Sequence, residues 1–150
     1  MARHPRWIKR LLGDEDLASV SRAIALAEAE TSGEVRVHLE QRLEAGDPLA
    51  RARQVFTELG MQRTRERNAV LIYLAFADRH LAIVGDEGIH ASAGAGYWDR
   101  LRDLLVERLR AGRMREALVE AVTEVGRTLR AHFPRRPDDT NELSDRVSTR

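Results

Sequence analysis

Glu34, Asn68 and Asp86 are the residues whose types suit joint chemistry: two carboxylates and an amide carbonyl, all oxygen donors. Such a set selects hard cations, so calcium and magnesium are the candidate cofactors; calcium takes its oxygens at about 2.3–2.6 Å. The chain has no cysteine, which removes thiolate metal sites, thiol nucleophiles and disulfides together. Each residue also has a plain structural use. Asp86 can cap a turn, Glu34 can end a strand in solvent, and Asn68 can fill a polar corner.

A particular sheet topology is needed to bring the three together. Residues 68–89 read N-A-V-L-I-Y-L-A-F-A-D-R-H-L-A-I-V-G-D-E-G-I, and residues 69–77 carry no charge. A run apolar on both faces has to be covered on both faces, which makes it a central strand. Asp78-Arg79 then turns the chain into a second strand at Leu81 to Val84, closing a hairpin. Residues 34–40 alternate Val35, Val37 and Leu39 with Arg36, His38 and Glu40, the pattern of a half-solvated strand near a sheet edge. Between these strands, Asp47-Pro48 starts a helix with Leu49, Ala52, Phe56 and Leu59 inward, and Gly60 stops it. Strand, helix, buried strand is a parallel crossover. Glu34, Asn68 and Asp86 therefore belong to one end of the sheet, and Glu40, Asp78 and Arg79 to the other. Roughly 26 Å of strand separates the ends. Asp78 is the alternative metal ligand, at that opposite end, and cannot share an ion with Asp86.

The remaining segments supply cover. Leu17, Val20, Ile24 and Ala27 make a helical stripe that Asp14 or Asp16 can cap. Residues 91–96 read as a small-residue loop, followed by a helix with Trp98, Leu101, Leu105 and Leu109 inward. A last helix carries Leu118, Val122, Val125, Leu129 and Phe133. The expected architecture is α/β: a small mixed sheet, with a parallel crossover plus an antiparallel hairpin, covered by helices on both faces. Residues 1–13 form a basic amphipathic segment, with Trp7, Ile8, Leu11 and Leu12 apolar, whose expected place is docked on the domain's own core, with contact to a membrane or a partner as the alternative. Residues 14–134 form the domain, and 135–150 are expected to be a mobile tail.

Composition excludes more than it selects. Twenty-five basic against 24 acidic residues give a net charge of +1, so no one-signed field argues for nucleic acid. No stretch reaches the roughly 18 apolar residues of a membrane span. The basic N-terminus meets Gly13-Asp14-Glu15-Asp16 too early for a signal peptide, which points to the cytoplasm. The five histidines show no metal spacing, and no serine sits in a nucleophile elbow.

The order of short motifs is more specific than any one of them. Thr31-Ser32-Gly33-Glu34 enters a strand, Leu59-Gly60-Met61 ends a helix, and Arg67-Asn68 enters the apolar strand. Asp78-Arg79 turns it, and Gly85-Asp86-Glu87-Gly88-Ile89 closes the hairpin. Over residues 14–133 this resembles the TPM domain, named after thylakoid-lumen, photosystem-associated and nematode receptor-auxiliary members. The resemblance implies a compact α/β sandwich, divalent-cation binding as in some members, and acid phosphatase activity as in plant lumenal ones. Those members look exported or membrane-attached, and this chain departs from them in both respects. Two readings follow. One is a non-enzymatic interaction or protein-maintenance module with an unknown protein partner. The other is a metal-dependent phosphohydrolase with Glu34 and Asp86 as ligands, Asn68 orienting, and Arg67 as phosphate partner.

Overall fold

Seven residues of β2 (Ala69–Ala75) are all buried, as their unbroken apolar sequence requires. In the computed structural model, which describes residues 6–9, 11–43, 46–77, 79–135 and 147–149, this strand pairs on both sides. It runs parallel to β1 (Glu34–Glu40) in the register Val35 to Val70 and antiparallel to β3 (His80–Gly85) in the register Ile72 to Ile83. A short β4 (Ser148–Thr149) lies parallel to β1, giving the order β3-β2-β1-β4. The sheet is thus mixed, with the expected crossover and hairpin.

Helices cover both faces. α1 (Arg6–Lys9), α2 (Asp14–Glu28), α5 (Ala95–Arg110) and α6 (Met114–His132) bury a large core against Val35, Val37, Leu39, Val70, Ile72 and Leu74. On the opposite face α3 (Pro48–Glu58) and a 3-10 turn (Met61–Arg63) pack Ala52, Val55, Phe56 and Met61 on Leu71, Tyr73 and Ala75. Period-two alternation sends neighbouring strand residues to the two layers. α2 and α6 come close because Gly126 has no side chain: a Cβ there would lie 2.7 Å from that of Ala27.

Three expectations are corrected. The polar face of β1 is not half-solvated: only Arg36 is partly exposed, whereas Glu34, His38 and Glu40 are 1%, 3% and 5% exposed. Alternation marks which residues share a face, but that face is covered: Arg51 of α3 reaches Glu40, and Ser148 of β4 reaches His38. Residues 87–93 are not a turn and loop. They form α4 (Glu87–Ala93), because Asp86 accepts from the Glu87 N–H at 2.8 Å and starts a helix. Within the expected mobile tail, Val147 is buried and β4 pairs with the outer edge of β1. That edge offers unpaired backbone, which a returning strand satisfies. The rest of the tail, 136–146 and 150, lies outside the described residues.

Candidate functional site

At the N-terminal end of the parallel strands, the backbone brings positions 34, 68 and 86 to one rim. The Glu34 N–H donates to Asn68 O at 3.4 Å, and the Asp86 N–H to Ala69 O at 2.9 Å. The side chains of Asp86 and Asn68 take different partners. Arg67 grips the Asp86 carboxylate with both arms, Nε to Oδ2 at 2.8 Å and Nη2 to Oδ1 at 3.0 Å. Together with the Glu87 N–H, this fills three of the roughly four lone-pair sites a carboxylate offers. Arg67 is held in a left-handed backbone conformation, with φ at 51°. Its carbonyl accepts the Gly88 N–H at 2.9 Å. Loop and α4 are so close that a Cβ on Gly88 would lie 2.3 Å from Glu66 O.

Asn68 is 1% exposed and turns its amide nitrogen to Ser32 Oγ (3.2 Å) and Glu66 Oε2 (3.3 Å), while the Ser32 hydroxyl donates to the same Glu66 oxygen at 2.6 Å. Its Oδ1 is buried and has no hydrogen-bond partner among the described residues. A buried carbonyl oxygen left in this state is an acceptor for a water or a hard cation. At Asp86, by contrast, a cation would meet the Arg67 guanidinium at hydrogen-bond distance and be repelled by it. Among the described residues, no three His, Asp or Glu side chains are grouped as a metal would require.

The opposite end holds a network that sequence reasoning missed. Glu40 Oε2 accepts from the Tyr73 hydroxyl at 2.7 Å and from Arg51 Nε at 3.2 Å. Its Oε1 accepts from Arg51 Nη2 and lies 3.2 Å from His38 Nε2. His38 Nδ1 meets Ser148 Oγ at 2.7 Å, so the network reaches β4. Burial alone would push the Glu40 carboxyl up, but the hydrogen bonds from Arg51, Tyr73 and His38 hold it down at about 2. Burial, and then the bond to Glu40, push the Tyr73 phenol up. Glu40 is therefore a fixed anion at neutral pH, with every strong acceptor position in use. A group so far from the working pH and so fully bonded is a poor general base. Tyr73 was the available signal, since a phenol in an otherwise apolar buried strand needs a polar partner. Asp78 lies outside the described residues, and its neighbour Arg79 is exposed with φ at 53°.

Comparison with known proteins settles the lineage. The family model of the TPM domain matches residues 9–128, well over half of the chain. The chain belongs to the TPM domain family. This TPM domain is similar to the BA42 protein of the psychrophilic bacterium Bizionia argentinensis, with 36% identity, 95% of this chain and 98% of that one covered, and a TM-score of 0.87. It shares its fold with the N-terminal domain of the cg2496 protein of Corynebacterium glutamicum (15% identity, 86% of each chain, TM-score 0.64). It shares it also with the N-terminal domain of a protein from P. gingivalis (17% identity, 82% of this chain and 79% of that one, TM-score 0.68). No curated protein matches. No helix among the described residues of this TPM domain is long and apolar enough to cross a membrane.

Proposed function

We propose that this TPM domain is a cytoplasmic, non-enzymatic interaction or protein-maintenance module acting on a protein partner. The observation that carries this reading is that two of its buried carboxylates, Asp86 and Glu40, are committed to protein donors. Asp86 is neutralised by Arg67, and Glu40 by Arg51 with Tyr73 and His38. Hydrolysis of a phosphate ester through a metal needs carboxylates able to bind an ion and activate water, and these two are committed to protein donors. Arg67, the residue suited to gripping a phosphate, is committed to Asp86 as well. Balanced charge supports a protein rather than a nucleic-acid partner.

Calcium or magnesium, where one binds, would use the buried Asn68 Oδ1, with Glu34 on the same rim, in preference to Asp86. Thermal melting in EDTA against millimolar calcium or magnesium tests the ion, because a ligand that binds only the folded state raises the midpoint. An assay with p-nitrophenyl phosphate under the same ions tests the enzyme. No turnover above buffer is expected. Turnover that disappears in Asp86→Asn, with melting unchanged, would replace the module by a phosphohydrolase.

A further inference from the structure

A second feature is independent of the rim and of the interaction reading. At the carboxyl end of β2, the end of the sheet where open α/β folds tend to take ligands, lies a cavity of about 540 Å³. The volume is in the range of small-molecule sites, which are mostly apolar with a few orienting polar groups. Leu74 and Phe76 from the end of β2 line it together with Val106 and Leu109 of α5 and Met114 of α6. Leu11 closes one side and is 49% exposed, one of two large apolar side chains so open among the described residues.

Among the described residues its ionisable lining is Arg79 and Arg110, both exposed, and no acidic side chain lines the cavity. Neither guanidinium forms an ion pair among the described residues, unlike Arg67, which is held by Asp86 on the opposite rim. Arg79 sits at φ 53°, an uncommon conformation for a side chain of its size.

Apolar walls and two exposed cations define the complementary ligand. We propose that this cavity binds a medium-chain fatty acid, with the acyl chain along Leu74, Phe76 and Leu109 and the carboxylate between Arg79 and Arg110. A carboxylate suits a guanidinium because the planar fork donates two parallel hydrogen bonds. The chain shields Leu11 and the cavity walls from water, which supplies the driving force.

Isothermal titration of the full chain with sodium decanoate below its micellar concentration, followed by 15N–1H NMR, tests this. Saturable one-to-one binding is expected, with shifts concentrated at Leu11, Arg79, Leu109, Gly112 and Met114. Acetate should not bind, and decyltrimethylammonium, with the same tail and opposite charge, should not compete. Arg110→Ala, and separately Arg79→Asn, which tolerates the left-handed backbone, should each weaken binding about ten-fold with melting unchanged. Absence of saturation at millimolar decanoate, or wild-type affinity in both variants, would overturn the proposal. So would pelleting with phosphatidylglycerol vesicles while free decanoate leaves the spectrum unmoved, since that outcome assigns the surface to a lipid bilayer.

Discussion

The Tyr73 hydroxyl donates to Glu40 Oε2 at 2.7 Å across the parallel β1–β2 pair, in the layer under α3. His38 is the register partner of Tyr73 and stacks on it, ring centroids 6.2 Å apart and planes 15° from parallel. A buried carboxylate is tolerated there only because its donors surround it. Removing the charge in Glu40→Gln leaves the Arg51 guanidinium facing a neutral amide and mismatches at least one donor. The expected loss is about 3 kcal/mol of unfolding free energy, read by urea denaturation. Tyr73→Phe removes one donor and keeps the packing, so about 1–1.5 kcal/mol is expected. A cost for Glu40→Gln no larger than that of an exposed ion pair would show that the network contributes little.

The same carboxylate sets a pH dependence. Its folded value of about 2 lies below the ordinary 4.5. Folding therefore favours the deprotonated form, and the Glu40 contribution is complete above about 4.5 and lost as the pH falls towards 2. Melting followed from pH 7 to pH 2 should show a midpoint that falls mainly in that acid window. Glu40→Gln should flatten the fall there while starting from a lower midpoint. A variant whose acid profile runs parallel to wild type would place the acid sensitivity elsewhere.

On the opposite rim, Asp86 does two jobs that substitution can separate. It caps α4 through the Glu87 N–H and accepts both arms of Arg67. Asn keeps a good capping oxygen, whereas Ala does not. Asp86→Ala should therefore cost about 1–2 kcal/mol and Asp86→Asn clearly less, measured by chemical denaturation. Equal losses would mean that the ion pair, and not the cap, is the larger contribution.

Local rules reached most of the sheet because β2 and β3 are written in residue types with one sensible use. An uncharged nine-residue run, a polar two-residue turn and a glycine stop allow little besides a hairpin with a buried first strand. The crossover followed from element order, and it was enough to bring positions 34, 68 and 86 to one rim. What local rules could not reach is where each side chain turns once it arrives. Arg67 is two residues from the strand start, yet its left-handed backbone lets it fold back on Asp86, a contact set by tertiary geometry alone. Likewise Arg36, His38 and Glu40 have the alternation of a solvated face, and only tertiary packing, Arg51 of α3 on Glu40 and β4 on His38, makes that face an interior. β4 was hidden for a related reason: two residues carry no periodicity, and the partner that selects them is more than 100 positions away.

Gly88 is where the two rim segments meet most tightly, and it offers a test of that packing. Its N–H donates to Arg67 O at 2.9 Å, and a Cβ would stand 2.3 Å from Glu66 O and 2.7 Å from Arg67 O. Both obstacles are backbone, so no side-chain rotation relieves them. Ala normally favours a helix over Gly by about 1 kcal/mol; here the sign should reverse. Gly88→Ala is expected to destabilise by about 1–3 kcal/mol, with amide exchange accelerated in residues 64–68 before the core strands. Ser92→Ala, one turn further along the same helix and exposed, serves as the control and should be close to neutral. If Gly88→Ala proved as stable as wild type, the loop before β2 would have to yield freely, and the Arg67–Asp86 clasp could not be the fixed contact described above.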